Sequence, residues 1–258
     1  LDELSHSCLW AGAQLSQANV LTFRHNDVSH VRELLKQHRA TRKHALIVTD
    51  GVFSMDGDLA PLHELSAAAM EHDAWLMSDD AHGLGVVGEG RGSAFADGRK
   101  VRIDLQMGTL SKALCSYGGY ICATRPVIDL IKTRARTLVY STGLPPASVA
   151  AAIAALDVIA ADPGFASRAV EKARGFTRAL NLPLAQSPIV PLVLGQETVA
   201  MEAQQILERA GFLVTAIRPP TVPAATARLR FAFTAGHPDE EIARLSQIVR
   251  ERVMPLLP

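Results

Sequence analysis

The sequence predicts an α/β fold: a large domain on a mostly parallel sheet, followed by a smaller C-terminal α/β domain. Three observations lead there. Short apolar runs alternate with amphipathic helical stretches through the first half of the chain, the pattern of repeated strand–helix units. Residues fit for chemistry, Ser54, Asp79 and Lys112, fall at or just past the ends of those runs, where open parallel sheets place their sites. At ADPG (161–164) the texture breaks and a second set of helices and strands begins, which sets the expected domains at 1–161 and 162–258.

Each element has its own signal. Residues 1–24 read as partly helical, and VSHVRELLKQH (28–38) puts Val31, Leu34 and Leu35 on one helix face. HALIVTDG (44–51) is a β-rich run closed by an Asp-Gly turn signal. PLHELSAAAMEH (61–72) opens with proline and keeps helical spacing. AWLMSDD (74–80) is the next strand, DLQMGTL (104–110) another, and GGYICAT (118–124) turns back antiparallel. A helix over 126–137, the segment LVYSTGLPP and an Ala-rich helix over 147–161 complete the first domain. The second carries a helix, the strand IVPLVL (189–194), a helix over 198–210, the strand TARLRFAF (226–233) and a last helix starting at Pro238-Asp239-Glu240. In TARLRFAF, Leu229, Phe231 and Phe233 alternate with Arg228 and Arg230, so the two sets face opposite ways.

Composition narrows the function. With 26 basic and 26 acidic residues in 258, no bulk charge draws the chain to nucleic acid or anionic lipid. No apolar run is long enough to span a bilayer, the start LDELSHS lacks the features of a signal peptide, and three cysteines without a CxxC pair fit a reducing compartment. Cytoplasmic residence is the expectation. Nine histidines form no HxH or HExxH group, so no metal is expected. GLGVVG (83–88) matches the dinucleotide fingerprint G-x-G-x-x-G, but DDAH stands before it and EGRG after it, where strand and helix should join.

The chemistry centres on GTLSKA (108–113) and the glycines of SYGGY (116–120). Lys112 follows an apolar run that reads as a buried strand, and a lysine is costly to bury unless it is paired or chemically used. A lysine amine can form a Schiff base with an aldehyde. If the aldehyde is pyridoxal phosphate, the ring nitrogen needs a carboxylate, the ring oxygen a donor and the phosphate hydroxyls. Asp79, His82, and Thr109 with Ser111 can meet those needs.

HND (25–27), TDGVFSMDGDLAPL (49–62), DDAHGLGVVGEGRG (79–92) and GTLSKA, in that order and spacing, resemble the α-oxoamine synthases, from Leu1 to about Val249. The resemblance implies a fold-type I pyridoxal-phosphate transferase, aspartate aminotransferase-like, that condenses an amino acid with an acyl thioester and releases carbon dioxide. It implies that Lys112 holds the cofactor and removes the Cα proton, that Asp79 pairs with the pyridine nitrogen, and that His82 bonds the ring oxygen. His6 would stack on the ring near the substrate, Ser54 would contact the cofactor, and Thr109 would bind phosphate. Ser141 and Thr142 would reach the phosphate of a neighbouring subunit, so that a homodimer shares its active sites. Arg230 would bind the substrate carboxylate, with Arg218 and Thr221 near the acyl group, delivered on coenzyme A or acyl carrier protein. The tail TAIRPPTVPAATARLRFAFTAGH (215–237) is similar to that of the biotin-pathway member, which joins L-alanine to a pimeloyl thioester. Relatives that take glycine, forming 2-amino-3-oxobutyrate or 5-aminolevulinate, carry a similar tail and remain the alternative. A dimeric remnant without cofactor is the alternative from another class. The resemblance also implies a preceding segment with a glycine-rich turn and an aromatic that grip the cofactor. At Cys115 the family usually has Gly, Ala or Ser, and cysteine is small enough to be tolerated there, as an oxidation-sensitive neighbour of Lys112.

Overall fold

The computed structural model describes residues 1–257, apart from the side chain of Pro163. It divides into two compact units, one of Leu1–Phe53 with Leu59–Pro163 and one of Ser54–Asp58 with the chain from Gly164 onward.

In the first unit the β-branched runs become strands β1 (Leu46–Asp50), β2 (Trp75–Asp79) and β3 (Leu105–Thr109), which pair in parallel, with β4 (Gly119–Ala123) antiparallel on the edge of β3. Asp50 lies opposite Asp79, and Asp79 opposite Met107, so the carboxyl ends of β1 and β2 finish level with each other. Helix α1 (Ser7–Leu15) starts close to those ends, because the His6 backbone N–H donates to Asp50 Oδ1 at 3.1 Å. Helix α2 (Val28–His38) is capped by Asp27, which accepts the His30 N–H at 2.9 Å. The crossover from β1 to β2 is α3 (Leu62–Glu71), which buries Leu65 and Ala68 completely. Helices α2 and α3 close a core with Phe23, Val31, Ile47, Phe53 and Leu76. The HND motif is tied to the start of the chain, where the Asp2 carboxylate accepts the Asn26 N–H at 2.9 Å and contacts His25 Nδ1 at 3.1 Å.

The helix expected over 126–137 is two helices, α4 (Arg125–Arg134) and α5 (Arg136–Val139), because Ala135 leaves helical space at φ −76°, ψ 99°. Helix α6 (Pro146–Ala161) is apolar on all sides and leaves Val149, Ile153, Leu156 and Val158 exposed.

The second unit has an antiparallel sheet of order β5–β7–β6, made of β5 (Ile189–Gly195), β6 (Thr215–Ile217) and β7 (Ala227–Ala232). It packs with α7 (Pro163–Ala179), α8 (Glu197–Arg209) and α9 (Asp239–Ile248). Their apolar faces meet the inward side of β7, where Phe176 stacks against Phe231 and Phe233 with centroids 4.8 and 5.2 Å apart. Residues 54–58 belong here because Gly57, at φ +73°, lies so close to β5 that a Cβ on it would sit 2.1 Å from the Ile189 carbonyl oxygen. The opposite side of β7 is not a solvated face. Arg228 is buried, with its guanidinium on the Asp56 carboxylate and the Met55 carbonyl, and Arg230 Nε donates to the Ser54 carbonyl.

Candidate active site

In a strand alternate residues point to opposite faces, and the pair Asp79-Asp80 uses this to serve two purposes. Asp80 turns inward, has no exposed surface, and its carboxylate accepts the Ser93 N–H at 3.0 Å and Gln106 Nε2 at 3.2 Å. It fits because Gly51, Gly83 and Gly92 crowd around it; a Cβ on Gly83 or Gly92 would sit 1.9 Å from its oxygens. The Asp80 carbonyl in turn accepts the N–H groups of Gly83 and Leu84, fixing the turn that carries His82. Burial pushes Asp80 up to about 6, against the hydrogen bonds from Ser93 and Gln106.

Asp79 faces the other way, toward Asp50. It is 5% exposed, and its Oδ1 accepts the Ala81 N–H at 3.0 Å. Its second oxygen has no hydrogen bond among the described residues. Asp50 is the residue that draws the group together: it holds the His6 N–H and senses the charges of Asp79 and Lys112. Its Asp-Gly context reads as a turn signal, so nothing in the sequence marked it. Burial first, and then repulsion from Asp79 and Asp2, push Asp50 up to about 7. Asp50 and Asp80 therefore bind protons more tightly folded than unfolded, where a carboxyl titrates near 3.8. Their contribution to stability is full below about pH 4 and is lost as pH rises through about 6 to 7. Denaturant unfolding of the full-length protein should show a midpoint that falls between pH 5 and 8, and Asp50→Asn should flatten that fall.

Lys112 is exposed, where its place after an apolar strand suggests burial. Strand β3 ends at Thr109, and the loop 110–118 closes on itself through Leu110 N–H to Gly118 O at 2.9 Å and Ser116 N–H to Leu110 O at 2.8 Å. Leu114 takes the buried place in that loop and the Lys112 side chain is left outside, its amine with no hydrogen bond or ion pair among the described residues. Thr109 Oγ1 lies 2.7 Å from Ser111 Oγ, so two hydroxyls stand beside the lysine. Cys115 adopts φ +48°, a left-handed conformation that suits glycine better than any residue with a Cβ. The GLGVVG stretch forms successive turns, and Gly85, at φ +83°, lets this loop lie against Ala113: a Cβ there would be 2.7 Å from that of Ala113. A side chain at 85 would push the His82 loop away from the lysine loop.

The first unit thus gathers His6, Asp79 and Lys112 around Asp50, with His82 in the turn after β2 and Thr109 at the end of β3. Ser141 and Thr142 are exposed after α5 and join no other member of this group through a hydrogen bond. Ser54, Arg218, Thr221 and Arg230 belong to the second unit. There Arg218 and Thr221 share one turn, the Thr221 N–H donating to the Arg218 carbonyl at 3.0 Å. Arg230 is half-buried, burial lowers its pKa, and its terminal nitrogens have no partner among the described residues.

A parallel sheet with an antiparallel edge strand, an acid at one strand end and an unpaired lysine past another define the fold-type I class of pyridoxal-phosphate transferases. The chain belongs to the aminotransferase class I and II family, whose model matches residues 1–249. It is 62% identical over 253 residues to the 8-amino-7-oxononanoate synthase of Methylocella silvestris, covering 98% of this chain and 72% of that one. It is 64% identical over 254 residues to a protein of Parvibaculum lavamentivorans, covering 98% and 65%. The chain spans about two thirds of the length of the curated relatives it matches. Among solved structures, Sphingomonas wittichii serine palmitoyltransferase superposes with a TM-score of 0.92 at 30% identity, over 100% of this chain and 67% of that one. A high-resolution structure of SPT with PLP gives the same TM-score, covering 99% and 66%. The crystal structure of 8-amino-7-oxononanoate synthase from Francisella tularensis gives 0.81 at 25% identity, over 98% and 74%.

Proposed function

We propose that this chain is the catalytic part of a pyridoxal-phosphate acyltransferase that joins L-alanine to a pimeloyl thioester, with loss of carbon dioxide, to make 8-amino-7-oxononanoate for biotin synthesis. The observation that carries the reading is the group at the strand ends: an exposed, unpaired lysine past β3 and a buried carboxylate with one unused oxygen at the end of β2. That donor set fits the cofactor, which takes an amine at its aldehyde and a carboxylate at its ring nitrogen. When bound, the cofactor supplies an electron sink for the negative charge that develops at the substrate Cα.

The remaining work falls to side chains. Lys112 Nζ would hold the cofactor through its aldehyde and would serve as the base for the substrate Cα proton. Asp79 would accept the ring N–H on its unused oxygen and so keep that nitrogen protonated. His82 would bond the ring oxygen, His6 would lie against the ring, Ser54 would contact the cofactor, and Thr109 would donate to the phosphate. Ser141 and Thr142 serve the phosphate of a neighbouring copy in a cytoplasmic homodimer. Exposed Val149, Ile153 and Leu156, spaced along one face of α6, support that assembly, since exposed apolar surface of this kind marks an association surface. Arg218 and Thr221 serve the acyl substrate, carried on coenzyme A or acyl carrier protein.

Arg230 binds the alanine carboxylate. Its guanidinium is desolvated and its outer nitrogens are open, the arrangement in which a charge-assisted pair is strongest. Arg230→Ala should raise the KM for alanine roughly 10- to 100-fold, as loss of a charged hydrogen bond implies, and leave cofactor binding unchanged. Equal loss of both would mean structural damage. The function itself is tested by offering the full-length protein alanine, glycine and serine with a pimeloyl thioester and weighing the products. Product from alanine alone is expected; product from glycine alone would move the assignment to a glycine-using relative, and none from any would overturn it.

A further inference from the structure

His6 is the N-cap of α1, and its ring is the capping group: Nδ1 accepts the Cys8 backbone N–H at 3.2 Å. The Cys8 thiol approaches the same nitrogen, with Sγ 3.0 Å from Nδ1. Burial, and then the charges of Asp79 and Asp50, push the Cys8 thiol up, so it stays protonated and available as a donor. A ring nitrogen that faces two donors at the positive end of a helix is not where a proton resides. Nε2 makes no hydrogen bond among the described residues. The backbone on the other side of the ring is tied as well, through the His6 N–H on Asp50 Oδ1 at 3.1 Å.

We propose that Cys8 is a positioning residue that holds His6 in its Nε2–H tautomer, so that His6 offers one fixed N–H donor to a carboxylate or carbonyl oxygen of the bound substrate. The proposal rests on the proposed function for the identity of that oxygen, but the tautomer does not depend on it. Serine keeps an O–H donor at the Cys8 position, whereas alanine leaves Nδ1 only the backbone N–H.

The test is the ¹⁵N spectrum of histidine-labelled full-length protein with neither cofactor nor substrate added, with His6 assigned by its loss in His6→Asn. Wild type and Cys8→Ser should show a pyridine-type Nδ1 and a pyrrole-type Nε2 for His6. In Cys8→Ala the two signals should move toward each other as the tautomers mix. In turnover assays Cys8→Ala should raise the amino-acid KM by about 3- to 10-fold, the scale of one neutral hydrogen bond, and Cys8→Ser should restore it. A pyrrole-type Nδ1 in wild type would overturn the proposal, as would a Cys8→Ala spectrum identical to wild type. If the spectra agree and no amino acid turns over, the proposed function fails and the tautomer assignment stands.

Discussion

Lys112→Ala should remove condensation activity almost entirely, by about 10³-fold or more, the scale of a proton transfer made by a placed side chain, while leaving the fold intact. The second half of that expectation follows from the structure. Lys112 is exposed in the 110–118 loop, and its side chain forms no hydrogen bond or ion pair among the described residues. Surface substitutions of this kind change stability by less than about 0.5 kcal/mol. Chemical denaturation of the variant should therefore match wild type, while product formation from alanine and a pimeloyl thioester disappears. Activity within a few-fold of wild type would show that another group holds the cofactor.

Asp80→Ala should do the reverse and cost stability first. It strips the acceptor from the Ser93 N–H and from Gln106, in a site with no exposed surface. It also leaves a void where Gly51, Gly83 and Gly92 had made room. Leaving one buried donor unsatisfied costs about 1–3 kcal/mol, so the loss from this site should be about 3 kcal/mol in denaturant unfolding. Asp80→Asn keeps an oxygen for the Ser93 N–H and has no charge to desolvate, so its loss relative to wild type should be smaller and should shrink as pH rises from 5 to 8. An Asp80→Ala variant as stable as wild type would show that the carboxylate contacts to Ser93 and Gln106 add nothing to stability.

The contrast between these adjacent acids shows what the sequence could and could not reveal. Apolar runs, proline starts and Asp-Gly punctuation located β1, α3, β2, β3 and the antiparallel β4, since each is set by local spacing. GTLSKA reads as hydroxyls and a lysine just past a strand, and the structure ends β3 at Thr109 with Ser111 and Lys112 following. What failed depended on distant parts of the chain. The expectation of a buried Lys112 extended the apolar strand past Thr109, where the loop folds back and Leu114 takes the interior. Arg228 alternates along β7 like a solvent-facing residue, yet it meets Asp56 from 172 residues earlier in the chain. Gly57, in MDGD, was the available clue that residues 54–58 run against β5, but its backbone angle is invisible in a sequence. Asp50 looked like a turn former because its partners, His6 and Asp79, are neighbours only once the sheet exists. Strand β6, at three residues, is too short to carry a period.

Lys112 Nζ is the proposed attachment point of the cofactor. Full-length protein incubated with pyridoxal phosphate, reduced with borohydride, digested and mapped by mass spectrometry should carry the cofactor mass on the peptide containing Lys112. The same mass on a different lysine, or on none, would contradict it.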